Sequence, residues 1–366
     1  MKTNLFMTLA VTAAMLASCS NDENIGIENG DGEVPAVFSA QVKGQTVKTR
    51  VVDTQWTDGD AIGIFAMNDD YNSNETYKYP DKHNYYENGK YVHNNGSWAF
   101  ETVTGEVEKP YYFKNPYETA VTFNAYYPWQ PKDKITAATD VTLDFEGSLK
   151  GGTIAVDASD QAEKERPKFD FMFSNTAAKQ EGGQAAPVPT GSKAKTNVKF
   201  YFTHSMVKLV FKLVPVSENG TTLDYIETLT PTLKDIKCEG TFSLKDGTVN
   251  SADKTVPENG IVLKDGETTA AKDSDPGYVT FTAIVVPQSA PKNCFLTLKT
   301  KTAGGINPDT YLTKQLFKDQ ELVAGNQYTY TLNIKKMALS VETAGQVSIE
   351  AWKENTMGEV DDATLQ

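Results

Sequence analysis

The side chains that most often perform acid–base or nucleophilic chemistry are scarce in this chain. Histidine occurs only at His83, His93 and His204, and none of them stands in an HExxH pair. His204 precedes Ser205, which offers a base beside a nucleophile, but neighbouring residues of a strand point to opposite faces. The sequence therefore favours a structural histidine at 204. No catalytic residue is predicted, and the protein is expected not to be an enzyme.

Clusters of oxygen ligands are the next candidates, because Ca²⁺ prefers carboxylate and carbonyl groups. Asn68-Asp69-Asp70 and Asp273-Ser274-Asp275 carry such groups, but neither has the spacing or the distal glutamate of an EF-hand. Solvated turns are the simpler interpretation of both clusters. The sequence thus predicts no metal site and no cofactor.

Besides Cys19, cysteine occurs only at Cys238 and Cys294, in two separate strand-like segments. One disulfide between them stays open, although two buried free thiols are the favoured interpretation. Three cysteines are too few for a fold that is held together by several disulfides.

The clearest chemical signal in the sequence is at Cys19. Lys2 gives the chain a short positive start, and residues 5–16 form an apolar segment that is too short to span a bilayer as a helix. Leu16-Ala17-Ser18-Cys19 then resembles the lipobox of bacterial lipoprotein signals. That resemblance implies cleavage between Ser18 and Cys19 and lipidation of the Cys19 thiol. A secretory signal that happens to contain a cysteine is the alternative.

The acidic segment Ser20-Asn21-Asp22-Glu23 resembles the surface-export signal of lipoproteins in gut and oral anaerobes. We therefore expect a lipoprotein that faces outward from the outer membrane, anchored by its lipid. The formal net charge of the 366 residues is -13. Nucleic acids and anionic lipid surfaces attract basic patches, so this charge argues against both as partners.

Short alternating segments between turn residues dominate the rest of the chain and predict an all-β fold. Asp58-Gly59 has the composition of a tight turn, and Asn88-Gly89 and Asn95-Gly96 that of hairpin turns. The predicted strands are 37–42, 61–66, 98–103, 111–113, 121–127, 170–174, 198–214, 241–244, 279–286, 295–299 and 328–334.

A stretch rich in Gly, Ala, Pro and Lys at 177–196 separates two strand-rich halves. Many short strands joined by Gly, Asn and Pro turns are typical of β-sandwiches. The predicted organisation is a signal peptide at 1–18, a flexible tether at 19–36, a β-sandwich domain at 37–180, a linker at 181–196 and a second β-sandwich domain at 197–366.

Short motifs in a characteristic order resemble the fimbrillin family, the pilins and adhesion proteins of surface fimbriae in gut and oral anaerobes. The resemblance covers almost the whole chain after the signal peptide. The motifs are the lipobox at Cys19, Lys48-Thr49-Arg50, residues 55–63 (QWTDGDAIG), 124–128 (NAYYP), 170–172 (DFM), 202–209 (FTHSMVKL), 286–288 (VPQ), 324–328 (AGNQY) and 347–352 (VSIEAW).

This resemblance implies two transthyretin-like β-sandwich domains of Greek-key type in tandem, and assembly by donor-strand exchange. In the family, an Arg- or Lys-specific protease removes the first strand of a lipidated precursor, which places the cut here between Arg50 and Val51. A strand of another subunit then fills the emptied groove. The residues implied in assembly are Val37, Phe38 and Val42 of the first strand, and Leu339, Val341, Val347, Ile349 and Trp352 of a C-terminal donor segment.

The partners that the resemblance implies are other fimbrial subunits, the outer membrane through the lipid, and a host protein or glycan. Two other classes stay open. A lipid-anchored monomer that binds glycans would use Tyr85, Tyr86, Tyr91 and Trp98 as a stacking surface. A β-sandwich hydrolase would need two carboxylates that meet only in the fold. A stalk, tip or anchor role stays equally open, and Arg50 would also suit an ordinary surface loop.

Overall fold

The computed structural model describes the chain in separate stretches and shows an all-β protein, as predicted. The described residues are 34–42, 56–68, 85–113, 121–136, 152–175, 197–216, 221–252, 259–272, 275–289, 291, 294–300, 310–312, 316–317, 320–334 and 342–351. Within these stretches, no helix is long and apolar enough to cross a membrane.

Strands account for most of the regular structure. The first ten are β1 (Val34–Pro35), β2 (Val37–Val42), β3 (Ala61–Asn68), β4 (Tyr85–Asn94), β5 (Ser97–Phe100), β6 (Tyr112–Phe113), β7 (Val121–Tyr127), β8 (Ile135–Thr136), β9 (Thr153–Asp157) and β10 (Met172–Asn175). The others are β11 (Asn197–His204), β12 (Val207–Pro215), β13 (Leu229–Lys234), β14 (Glu239–Ser243), β15 (Val249–Ser251), β16 (Ile261–Val262), β17 (Glu267–Thr269), β18 (Tyr278–Val285), β19 (Phe295–Thr300), β20 (Thr310–Leu312), β21 (Asn326–Ile334) and β22 (Glu342–Ala351). In the described stretches, the helical segments are α1 (Leu223–Glu227) and two 3₁₀ turns, Lys132–Lys134 and Arg166–Lys168.

A seven-stranded sheet holds most of the N-terminal strands, in the order β2-β11-β10-β7-β3-β4-β5. Its neighbours are antiparallel except β2 and β11, which run parallel. The sheet curls so that its two edge strands, β2 and β5, lie against each other. Alternate residues thus line an apolar space that we call the N-terminal interior cluster. Its buried members are Phe38, Val42, Ile62, Ile64, Ala66, Tyr91, Phe123, Ala125, Tyr127, Met172, Val198, Phe200 and Phe202.

The other face of this sheet packs on a four-stranded sheet with the order β15-β14-β9-β8. Phe242 of β14 stacks on Phe171 with ring centroids 4.7 Å apart, and Tyr126 of β7 lies 6.2 Å away. The buried residues of this layer continue into the C-terminal half as one main core.

Two sheets form the C-terminal half, in the orders β17-β18-β12-β21-β22 and β16-β13-β19-β20. The central strand β12 pairs antiparallel with β18 and parallel with β21. Leu209, Phe211 and Leu213 of β12 are fully buried in the main core. A short two-stranded ladder joins β1 to β6.

The single strand predicted at 198–214 is wrong, because the chain breaks at Ser205-Met206 into β11 and β12. The sheet pairing also crosses the predicted linker at 181–196: β11 pairs with β2 and β10, whereas β9 pairs with β14. Alternation in a sequence identifies which residues share a face, but it does not identify the partner strand.

The hairpin turn predicted at Asn95-Gly96 is confirmed between β4 and β5, with φ of 49° and 80°. The hairpin turn predicted at Asn88-Gly89 is wrong, because this pair lies inside β4 at a shift in the register with β3. Asn88 has φ of 58° and is buried, and its side chain accepts a hydrogen bond from the Tyr126 hydroxyl at 2.7 Å. The same left-handed residue suits a hairpin turn and a bulge, so the sequence signal is ambiguous.

Candidate functional site

The first long strand, β2, is held by one backbone partner. It ends the order of the seven-stranded sheet and pairs in parallel with β11 from Val37↔Asn197 to Val42↔Phe202. Parallel neighbours need a long connection, and residues 43–196 separate β2 from β11 in the sequence. The strand thus lies at the edge of the sheet, far in sequence from its partner.

Alternate side chains of β2 nevertheless point into the N-terminal interior cluster. Phe38 and Val42 are each 4% exposed, whereas Val37 is 55% exposed. The Phe38 ring meets Tyr91 at 4.8 Å, Phe123 at 5.6 Å and Phe200 at 5.7 Å between ring centroids. Phe38 therefore fills an aromatic socket that the rest of the sheet provides.

Trp56 closes the outer edge of β2. Its indole Nε1–H donates a hydrogen bond to the carbonyl oxygen of Ala40 at 2.9 Å. The ring packs edge-on against Trp98 of β5 at 5.0 Å, Tyr127 of β7 at 5.3 Å and Phe202 of β11 at 5.3 Å. The indole thus fills the seam between the two edge strands of the curled sheet.

A tight turn fixes Trp56. The Asp60 carboxylate accepts hydrogen bonds from the Thr57 backbone N–H at 2.7 Å and from the Tyr127 hydroxyl at 2.9 Å. Burial, reinforced by the nearby Asp60 charge, raises the pKa of Tyr127 far above its usual range. The hydroxyl therefore keeps its proton. The turn predicted at Asp58-Gly59 is confirmed, and the Gly59 N–H donates to the His93 carbonyl at 3.0 Å.

The predicted cleavage and lipidation residues Ser18, Cys19, Arg50 and Val51 lie outside the described residues. Arg50 lies in the sequence between Val42, where β2 ends, and Trp56. The donor residues Leu339, Val341 and Trp352 also lie outside the described part of the chain. Val347 and Ile349 fall in β22, in register with Tyr330 and Tyr328 of β21.

His204 has a structural environment, as the sequence favoured. Its Nδ1 lies 2.9 Å from the Asp170 carboxylate, and both side chains are buried. Asp170 precedes β10 and His204 ends β11, so the pair joins two adjacent strands of the sheet. Sequence reasoning missed this partner, because nothing in the spacing of residues 170 and 204 indicates their contact.

A cavity of about 600 Å³ with a mixed polar and apolar lining opens between the turn around Trp56 and the outer face of the five-stranded sheet. Lys208 of β12 and Arg166 contribute positive charge to its wall, and Asp60, Asp265 and Glu267 contribute negative charge. Burial lowers the pKa of Lys208 to about 8, and Glu267 opposes that shift. Within the described residues, no group of three or more His, Cys, Asp or Glu side chains is placed to hold a metal ion.

Three of the four aromatic side chains considered for glycan stacking pack against other rings of the protein. Tyr91 is 3% exposed, Tyr86 packs edge-on against Tyr111 at 5.5 Å, and Trp98 packs against Trp56. The Tyr86 hydroxyl donates to the Lys109 carbonyl at 3.1 Å. The side chain of Tyr85 lies outside the described residues.

The two remaining cysteines are buried free thiols, which confirms the favoured interpretation. Burial raises the pKa of Cys238 to about 11 and raises that of Cys294 still further. Both thiols therefore stay protonated at neutral pH, and the low reactivity that results fits packing residues.

Comparisons with known proteins find similar fimbrium subunits and cell adhesion proteins in Bacteroides species. The sequence model of the family described as Fimbrillin-like matches residues 49–352. A Bacteroides uniformis protein named as fimbrium subunit Fim1C is 24% identical over 361 residues, which is 96% of this chain and 96% of that protein. A Bacteroides ovatus protein named as fimbrium tip subunit Fim1C is 29% identical over 223 residues, which is 58% of this chain and 36% of that protein.

Solved structures share the fold. A cell adhesion protein from Bacteroides ovatus matches with a TM-score of 0.56 and 23% identity over 88% of this chain and 98% of its own. One from Bacteroides uniformis matches with a TM-score of 0.55 and 20% identity over 88% of this chain and 99% of its own.

Proposed function

The chain belongs to the fimbrillin-like family, and from that premise we propose that it is a subunit of a surface fimbrium that serves adhesion. It is exported as a lipoprotein on Cys19 to the outer membrane. A protease then cuts between Arg50 and Val51 and releases the lipid together with β2. The groove that β2 leaves is filled by a strand of another subunit. We further propose that its sandwich units are of the transthyretin-like type.

The observation that carries this proposal is the position of β2. The strand has one backbone partner, yet its Phe38 and Val42 side chains are buried in the N-terminal interior cluster. Burial of two such side chains contributes on the order of 5 kcal/mol. An incoming extended strand would regain the same burial together with the backbone hydrogen bonds to β11. A strand held in this way can be replaced without unfolding the rest of the sheet.

The arginine content of the chain supports the site of the cut. Arg50 and Arg166 are its two arginines. Arg166 precedes Pro167, whose ring and missing N–H disfavour cleavage of the preceding bond, and its guanidinium donates to the Thr282 carbonyl at 3.1 Å. The peptide bond after Arg50 is therefore the one in the sequence that suits an arginine-specific protease.

The donor proposed is the segment 337–352, which includes Leu339, Val341 and Trp352. Its described part, β22, is an edge strand that pairs only with β21 in its sheet. Val347 and Ile349 lie opposite Tyr330 and Tyr328, which are buried. Such a strand can leave the sheet edge and enter the groove of a second subunit.

The test uses purified protein of residues 20–366 and an arginine-specific protease, with Arg50→Ala as the variant and Lys48→Ala as the matched control. We expect cleavage after Arg50 by N-terminal sequencing, followed by a ladder of multimers on a semi-denaturing gel. The ladder should be absent for Arg50→Ala and unchanged for Lys48→Ala.

Cleavage after Arg50 that yields only monomers would contradict strand exchange between copies of this chain. A chain that resists cleavage and stays monomeric would favour a lipid-anchored surface protein without assembly.

A further inference from the structure

The Trp56 indole bonds to the backbone of β2 at the edge away from β11. A strand directs the carbonyls of alternate residues to opposite edges. The backbone of β11 occupies one edge of β2, and the Trp56 indole takes the Ala40 carbonyl from the other. The contact is to the backbone, so it does not depend on which side chain stands at position 40.

The ring contacts of Trp56 come from outside β2. Its ring is held by Trp98, Tyr127 and Phe202, which belong to three other strands of the sheet. The turn that follows is tied down as well, since the Asp58 carboxylate accepts from the Asn95 N–H at 2.9 Å. When β2 leaves, the indole N–H therefore remains at the groove as a donor that can take the backbone carbonyl of an incoming strand.

Trp56 also follows the proposed cut in the sequence, whereas Ala40 precedes it. The indole thus stays with the body of the subunit after cleavage. Any strand that replaces β2 meets the same N–H at the same point along the groove.

We infer that Trp56 is the positioning residue of the groove: its indole takes a backbone carbonyl of the incoming strand and fixes the register of that strand. This inference rests on the strand exchange proposed above. The ligand class is an extended peptide that runs parallel to β11, with apolar side chains at the positions of Phe38 and Val42. The carbonyl that Trp56 binds belongs to the residue midway between them.

The first experiment needs neither cleavage nor assembly. Amide hydrogen exchange is followed by mass spectrometry in the intact 20–366 protein, its Trp56→Phe variant and a Trp98→Phe control. Phenylalanine keeps a ring in the seam and removes the indole N–H. Trp98→Phe changes a ring in the same seam while the bond from Trp56 to Ala40 stays.

We expect residues 34–42 to exchange about three- to tenfold faster in Trp56→Phe, the effect of one lost hydrogen bond. Trp98→Phe should leave this segment within twofold of the wild type. Equal protection in Trp56→Phe and wild type would overturn the inference.

The second experiment tests register in the cleaved protein. Labelled peptides of residues 34–42 compete with the resident strand after cleavage at Arg50, and they carry a thioamide at Ala40, a thioamide at Ser39, or neither. Sulfur is a weaker acceptor than oxygen. The Ala40 thioamide should bind the wild type about threefold to tenfold less well and Trp56→Phe no less well. The Ser39 thioamide should affect both proteins alike.

The outcomes separate the two proposals. If the unmodified peptide enters neither protein, strand exchange fails, and the role of Trp56 toward an incoming strand fails with it. If the peptide enters both proteins and the Ala40 thioamide weakens both equally, strand exchange stands and the role of Trp56 is overturned.

Discussion

Strands β2 and β12 both bury alternate side chains, but the sheet holds them differently. β12 lies at the centre of its sheet, antiparallel to β18 on one side and parallel to β21 on the other. β2 has β11 on one side, and on the other a single indole reaches its backbone. Burial alone does not show which strand can be exchanged. We expect the number of backbone partners to decide it, since each ladder adds a row of hydrogen bonds that must break together.

The two strands also meet different side chains. Leu209, Phe211 and Leu213 of β12 pack into the main core, which extends through both halves of the protein. Phe38 of β2 enters the separate N-terminal interior cluster, where rings surround it. A separate cluster can open at one strand while the main core stays intact.

The largest effect that the comparison predicts is at Phe211 in β12. Phe211 is fully buried and stacks on Tyr330 with ring centroids 5.7 Å apart. Phe211→Ala should lower the free energy of unfolding by about 3–5 kcal/mol, because it leaves a cavity at the centre of the main core. Urea denaturation followed by circular dichroism measures this loss. A loss below 1 kcal/mol would show that β12 is not the central strand that its pairing indicates.

Phe38→Ala makes the same kind of cavity in β2, but its effect should be local. We expect about 3 kcal/mol less protection of residues 34–42 and 197–204 in hydrogen exchange, because the aromatic socket loses its main occupant. Protection of residues 207–215 should match the wild type. If residues 207–215 lose protection equally, β2 unfolds together with the main core and cannot be exchanged alone.

Local sequence patterns predicted several of these strands. The bounds 37–42 and 121–127 are confirmed as β2 and β7, the first predicted from a weak alternation and the second with Pro128 at its end. The hairpin at Asn95-Gly96 is confirmed because both residues adopt the positive φ that such a turn needs. The anchoring of Trp56 could not be predicted, since its contacts come from strands far apart in the sequence.

The errors also have physical causes. Ser205-Met206 carries no Gly or Pro, so the passage from β11 to β12 leaves no turn signal, and one long strand was the natural prediction. The parallel pairing of β2 with β11 joins residues about 160 positions apart, which no local pattern encodes. The contact between Asp170 and His204 depends on the antiparallel pairing of β10 with β11.

Lys208 lies on the outer face of β12, and its charge gives a second way to test the stability of this strand. Its pKa of about 8 lies below the ordinary 10.5, because burial disfavours the ammonium form in the folded protein. The folded state therefore binds fewer protons than the unfolded state between pH 8 and 10.5, and stability rises with pH across that window. Lys208→Met should stabilise the protein at pH 7 by on the order of 2 kcal/mol, and this gain should shrink toward pH 10.

Urea denaturation at pH 7, 8.5 and 10 measures that gain. Lys264→Met controls for the loss of one positive charge, since Lys264 lies at the surface in an ion pair with Asp160. A gain from Lys208→Met that stays constant over the whole pH range would contradict the assignment to its ammonium group.

The smallest predicted effect comes from the same substitution, valine to threonine, on the two faces of β2. Val37 is 55% exposed and Val42 is 4% exposed, and threonine has nearly the shape of valine. Val37→Thr should change the free energy of unfolding by less than about 0.5 kcal/mol, whereas Val42→Thr should cost about 1 kcal/mol by burying a hydroxyl. In the peptide competition assay, the Val42→Thr peptide should bind the groove about five times less well than the Val37→Thr peptide, a ratio that corresponds to the same 1 kcal/mol. Equal binding of the two peptides would mean that the groove recognises the backbone of the incoming strand and not its inward side chains. Specificity among donor strands would then rest on the register that Trp56 sets.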